Sequence, residues 1–333
     1  MRKSLLATLA LLPLCGFTAA ALADDPDPEQ VVNAFEKATG VHKGQRRNHI
    51  KGVCVTGSFI GTKEASALSI SPLFSGKSVP AIGRFSVAGP NPGVSDASHD
   101  PRGFGLQFTL PKDEVQQTAM LNVPVFIVAT PQDFYSLLTL GAPDPATGKP
   151  DPARAPAFFA AHPETGAFLG WVKTHNPPPS YGNAAFYSLH AFKFIGPDKA
   201  EHWVRWRFVP KAGEKFMSEA ELAKAPVDFL DTALEGQLRK APLQWDMIVT
   251  LADKGDSIDN PTIAWPAGRK EIKAGTLTLT KGGKDAAGSC DDVNFDPNVM
   301  ANGIDVSPDP VLAYRSQAYA VSYSRRMLEK GSN

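Results

Sequence analysis

Residues 293–326 read VNFDPNVMANGIDVSPDPVLAYRSQAYAVSYSRR, a loop rich in Asn, Asp and Pro that leads into a long helix predicted over 309–330. Arg315 and Tyr319 stand four residues apart, so a helix puts them on one face, one turn from each other. A phenol has an ordinary pKa of about 10, and a guanidinium one turn away favours its anion and lowers that value. Tyr314 and Tyr323 lie nearby, but neither follows an arginine by four. Spacing alone leaves two arrangements open. In the commoner one, Tyr319 is a core tyrosine of an amphipathic helix and Arg315 is solvated.

Upstream of this helix the chain is dominated by β-formers. Val53–Ile60, Ala81–Ala88, Gly103–Leu110, Val123–Ala129, Ala185–Ile195, His202–Val209 and Leu243–Leu251 are predicted strands, separated by Gly, Pro and Asp clusters. That rhythm suits an antiparallel sheet or barrel. Asp27–Gly40 predicts a short amphipathic helix with Asp27 as N-cap, Pro28 first in the helix and Gly40 as its stop. Residues 141–156 are too proline-rich for helix or central strand and predict a surface loop. Ser218–Arg239 predicts helix capped by Ser218 and kinked or divided at Pro226. No internal repeat is present. The pattern is α+β, with a β-rich centre and helices gathered toward the C-terminus.

The first residues, MRKSLLATLALLPLCGFTAAALADD, combine a basic start, an apolar run too short to span a bilayer and an Ala21-Leu22-Ala23 cleavage pattern. A signal peptide over 1–23 and export to the periplasm are therefore expected. Lipid attachment at Cys15 is disfavoured by the Leu-Pro-Leu before it. Residues 24–333 are expected to form one domain, ample for a core that encloses a cofactor. Charge is balanced, 34 basic against 34 acidic residues, with no long basic run, so nucleic-acid binding has no electrostatic footprint. Export would permit a disulfide between Cys54 and Cys290, though two reduced thiols fit equally well.

Four segments, in order, resemble the haem-dependent catalase superfamily: RRNHIKG (46–52), RFSVAGPNPGVSDASHDPRGFGLQF (84–108), LNVPVFIV (121–128) and the C-terminal stretch quoted above. The resemblance spans nearly the whole chain after residue 23 and is nearest to the short, exported catalase-related peroxidases. It implies a catalase-like antiparallel β-barrel with helices, enclosing a haem b, without a C-terminal flavodoxin-like domain. By position in the family pattern, Tyr319 is the iron ligand and Arg315 the arginine that stabilises its phenolate. His49 is the distal acid–base group, Ser86 the serine that fixes its tautomer, and Asn122 the distal amide that orients peroxide. Arg46, Arg84 and Arg326 are the propionate arginines, with Arg325 as a rival for the last place. Each of these residues also has an ordinary reading, as a core, strand-end or surface side chain.

Some positions depart from the family. Asn48 stands where valine is usual, Ile127 replaces a phenylalanine of the distal pocket, Tyr323 stands where histidine is frequent, and His99 replaces an arginine. A more polar, reshaped distal side favours peroxidase over catalase turnover. The expected partners are hydrogen peroxide or a small organic hydroperoxide and an organic reductant, with no membrane anchor and a monomer or small homo-oligomer. Hydroperoxide rearrangement of the allene oxide synthase kind and non-catalytic haem binding are the alternatives. A metal hydrolase built on Asp96, His99 and Asp100 has the right residue types in what looks like a structural turn.

Overall fold

The computed structural model describes residues 25–144 and 146–331; the expected signal peptide at 1–23 lies outside them. Helix α1 (Pro28–Thr39) begins in a capping box, Asp27 accepting from Glu29 N at 2.8 Å while Gln30 accepts from Asp27 N at 3.2 Å. The strands that follow are β1 (Gly52–Gly61), β2 (Ser78–Val87), β3 (Arg102–Thr109), β4 (Val115–Leu121), β5 (Phe186–Tyr187), β6 (Phe192–Ile195), β7 (Glu201–Pro210), β8 (Leu243–Leu251), β9 (Glu271–Gly282) and β10 (Ile304–Val306). Every pairing is antiparallel. The sheet runs β10-β6-β7-β5-β4-β3-β2-β1-β9-β8, and β7 also pairs with β8. That last pairing closes a barrel, with β10 added along β6. β5 and β6 are two parts of one strand along β7, with Phe186 opposite Phe208 and Phe192 opposite Val204. They are interrupted where Leu189 takes φ 68°.

Alternate residues fill the barrel. Phe104, Leu106 and Phe108 of β3 point in, as do Val204, Trp206 and Phe208 of β7 and Trp245, Met247 and Val249 of β8. Phe85 stacks on Phe104 at 4.1 Å and on Tyr181 at 4.8 Å. Each such side chain contributes about 1.5–3 kcal/mol by leaving water.

Three expectations need correction. Residues 123–129 form a turn, because Pro124 offers no N–H to a ladder and Val123 and Val125 pack instead against Phe168. The strand lies just before, over Val115–Leu121. Its buried Gln116, Gln117 and Thr118 hid it from the hydrophobic pattern, and Gln117 is satisfied by Gln107 at 2.6 Å. The long strand β9 was not predicted either. Nor are helices confined to the C-terminal part. Besides the short α2 (Lys63–Leu68), helices α3 (Pro131–Leu138), α4 (Arg154–Ala161) and α5 (Thr165–Thr174) all fall between β4 and β5. The remaining helices follow the pattern: α6 (Glu219–Leu222), capped by Ser218, α7 (Phe229–Leu238) beyond Pro226, and α8 (Pro310–Gly331).

Helix α8 is the last described element. Buried Arg47 fastens it to α1, donating to Glu36 at 2.8 Å and to Glu329 at 3.0 Å. Cys54 and Cys290 form a disulfide with their Cα atoms 5.5 Å apart. No described helix is long and apolar enough to cross a membrane.

Candidate active site

His49 sits just before β1 with φ 53°, in the left-handed region that a non-glycine residue rarely enters. The groups on either side of its Cα hold it there. Its N–H donates to Asn48 Oδ1 at 2.8 Å, and its carbonyl accepts from Arg84 Nη1 at 2.7 Å. The ring Nδ1 lies 3.0 Å from the hydroxyl of buried Ser86 on β2. Burial, then the charges of Arg84, Arg315 and Arg46, pushes the imidazole down to about 3, so the ring stays neutral at any ordinary pH. Asn48 Oδ1 also accepts from Gly89 N at 2.9 Å. Its oxygen is thus committed to the backbone.

Two glycines make the arrangement possible. A Cβ on Gly103 would lie 2.6 Å from Ser86 Oγ and 2.8 Å from His49 Nδ1 and Cε1. The imidazole therefore lies directly on bare backbone. At Gly52 a Cβ would lie 2.7 Å from the Arg84 guanidinium carbon, which accounts for the glycine that closes R-x-x-H-x-K-G.

Arg315 and Tyr319 share one face of α8, Arg315 Nη2 donating to the Tyr319 hydroxyl at 2.6 Å. The pair continues inward. Arg315 Nη1 lies 3.0 Å from His190 Nε2, and His190 Nδ1 lies 2.6 Å from Asp309 Oδ2. His190 and Asp309 are both buried, and burial outweighs the carboxylate in lowering the imidazole's pKa. Asp309 also caps α8, accepting from Val311 N at 2.9 Å. The rivals are placed differently: the Tyr314 hydroxyl has no hydrogen-bond partner, and Tyr323 lies under Arg326 at 4.8 Å.

Arg46, Arg84 and Arg326 form no ion pair with any described carboxylate. Burial, then repulsion from Arg326 and Arg84, pulls Arg46 down to about 8, while burial takes Arg84 down to about 10. Arg326 is 2 % exposed, and its Nε has no partner. Three desolvated guanidiniums that repel one another, one with an orphaned N–H, suit a ligand bringing carboxylates. The neighbouring Arg325 turns outward to Asn33 and Glu36.

Asn122 directly follows β4 and opens the turn after it. Its Oδ1 accepts from Arg102 N at 2.7 Å and its carbonyl from the Trp171 indole at 3.2 Å. Nδ2 donates to no described residue. Leu121 pairs with Gly103 in the β3–β4 register, so Asn122 adjoins the glycine beneath His49. Ile127 packs in a cluster with Val123, Val125 and Phe168. The hydrolase trio does not assemble. Asp96 is buried against Lys51 at 2.8 Å and accepts from Leu230 N, whereas His99 is half-exposed beside Glu219. Sequence reasoning missed His190 and Gly103. Asp309 lies in the C-terminal stretch, but its partner His190 is 119 residues away.

The backbone resembles solved catalases: a bacterial one with TM-score 0.76 and 22% identity, covering 98% of this chain and 68% of that one, and catalase A of Saccharomyces cerevisiae with 0.75 and 23%, covering 85% and 61%. A closed catalase-type barrel with a tyrosine–arginine helix against it is the class that fold and site define. The family model described as Catalase matches residues 30–333, and the chain belongs to that family. It is 47% identical over 323 residues to a catalase-related peroxidase of Synechococcus elongatus, covering 97% of this chain and 94% of that one. A catalase-related peroxidase of Mycolicibacterium paratuberculosis is 32% identical, with 90% and 94% covered. A catalase of Vibrio vulnificus is 29% identical, with 83% of this chain but 56% of that one covered.

Proposed function

We propose that the protein is an exported haem b peroxidase that reduces hydrogen peroxide or a small organic hydroperoxide with electrons from an organic donor. The observation that carries this reading is a half-buried, neutral imidazole, held on Ser86, that feels the charge of Arg315, the partner of Tyr319. Tyr319 would hold the iron through its phenolate oxygen, with Arg46, Arg84 and Arg326 taking the propionates. Haem, when bound, supplies the iron at which the O–O bond is cleaved.

The chain's own residues do the rest. Arg315 stabilises the Tyr319 phenolate, and the His190–Asp309 pair holds Arg315 in place. Ser86 accepts from His49 Nδ1–H, which leaves Nε2 free to take the peroxide proton and return it to the departing oxygen. Asn122 Nδ2 is available to donate to the peroxide. The balance is one peroxide and two phenolic donors giving two waters and two phenoxyl radicals.

Preference for a donor over disproportionation is supported by the relatives: those called catalase-related peroxidases match this chain nearly end to end, whereas the Vibrio catalase is matched over 56% of its length. The test uses one preparation, measured for absorption spectrum, dye oxidation and oxygen release. A ferric tyrosinate spectrum with one haem per chain is expected, with a phenolic dye oxidised faster than oxygen appears. Rapid oxygen release with negligible dye oxidation would make it a true catalase, and failure to take up haem would overturn the whole reading.

A further inference from the structure

The Cys54–Cys290 bridge touches the setting of all three unpaired arginines. Cys54 stands opposite Arg84 in the β1–β2 register. The Cys290 carbonyl accepts from Arg46 Nη2 at 3.2 Å. Three residues on, the Val293 carbonyl accepts from Arg46 at 2.7 Å and from Arg326 at 3.1 Å. β1 already has ladders on both sides, to β2 and to β9, so it does not depend on a cross-link for its place. What the bond constrains is the irregular segment between β9 and β10, whose carbonyls aim two of the guanidiniums. Cys290 is fully buried and its N–H lies 3.2 Å from Cys54 Sγ.

We propose that this disulfide is the positioning element of a carboxylate clamp: it fixes the 290–293 carbonyls so that Arg46 and Arg326, beside Arg84, grip the two propionates of haem. Breaking it loosens that grip while the barrel stays folded. The inference rests on the haem reading above. A bridge acting only on the unfolded chain would stabilise the fold generally and be indifferent to the ligand's carboxylates.

The experiment is therefore the rate at which the loaded protein releases haem to excess apomyoglobin. It compares oxidised protein, protein reduced with a phosphine, and the Cys54→Ser/Cys290→Ser variant. Reduction transfers two electrons from the phosphine to the S–S bond and two protons from water to the sulfurs, leaving two thiols and a phosphine oxide. Each form is loaded with haem b and, separately, with haem dimethyl ester, whose propionates carry no charge. Loss of the bridge should speed haem b release about tenfold, one charge-assisted hydrogen bond's worth. It should leave release of the ester nearly unchanged, and reoxidation should restore the slow rate. Equal acceleration of both haems, or none, would overturn the proposal. Should the variant not fold, the phosphine-reduced protein gives the same comparison. If the oxidised protein takes up no haem b, the haem reading falls and this inference with it.

Discussion

A single methyl group at Gly103 tests whether the placement of His49, beyond its presence, sets the rate of reaction with peroxide. In Gly103→Ala the new carbon would lie 2.8 Å from His49 Nδ1 and Cε1 and 2.6 Å from Ser86 Oγ. Unstrained carbon contacts begin near 3.5 Å, so the imidazole must retreat by roughly 0.7 Å. The backbone cannot absorb that shift freely, because Asn48 and Arg84 hold the groups on both sides of the His49 Cα. Misplacing a catalytic group by about 1 Å costs on the order of 10²-fold in rate, or ~2.7 kcal/mol. Overpacking should also lower stability by about 1–3 kcal/mol, so rates are compared well below the melting temperature. Stopped-flow mixing of the haem-loaded variant with hydrogen peroxide reads the effect, and haem content serves as the internal check. Gly93→Ala is the control, since its nearest neighbour, Asn91 Oδ1, would stand at an ordinary 3.5 Å. A Gly103→Ala rate within threefold of the parent would refute the claim that the glycine sets the imidazole in place.

His49→Ala should retain haem and slow the peroxide reaction by about 10²–10⁴-fold in the same assay; a loss below about tenfold would remove His49 from the chemistry. Because the imidazole is held near 3, well below its usual 6.5, it remains the base form on acidification. The peroxide rate should stay level from pH 8 to about pH 5, and a fall centred at an ordinary imidazole pKa would contradict this. The sign for stability is opposite: as pH drops through 6.5 toward 3 the unfolded chain takes up a proton that folded His49 refuses, so the apoprotein loses stability. Tyr319→Phe should abolish the tyrosinate spectrum or haem binding, and an unchanged spectrum at full occupancy would exclude it as ligand. Asn48→Val removes the acceptor used by His49 N and Gly89 N, so denaturant unfolding should show a loss of about 1–3 kcal/mol. The oxygen electrode should show no gain in disproportionation.

Much of the architecture was legible because its signals are local. Runs of β-formers bounded by Gly, Pro and Asp clusters marked β1, β2, β3, β7 and β8, while Asp27, Ser218 and Pro226 marked helix ends through caps and a missing N–H. Two of the failures, at β4 and at the turn after it, share one cause. β4 buries Gln116, Gln117 and Thr118, whose amides and hydroxyl are satisfied by tertiary partners that no local window contains. A strand stabilised in that way looks polar in sequence. The turn at 123–129 looks like a strand because its valines are buried by α5 and not by a ladder.

The same division runs through the site. Arg315 and Tyr319 are one helical turn apart and could be paired from spacing, but the wall behind them could not, since His190 and Asp309 meet from distant parts of the chain. Asn48 shows why a residue's type alone misleads. A polar side chain beside a catalytic imidazole suggests a polar pocket, yet its oxygen caps two backbone amides. That cap has a reason in the backbone: a histidine at φ 53° presents its N–H where no ladder partner exists, and a valine at 48 would leave that N–H without an acceptor. The departure from the family pattern at Asn48 therefore acts through the geometry of His49 before it can act on the polarity around peroxide.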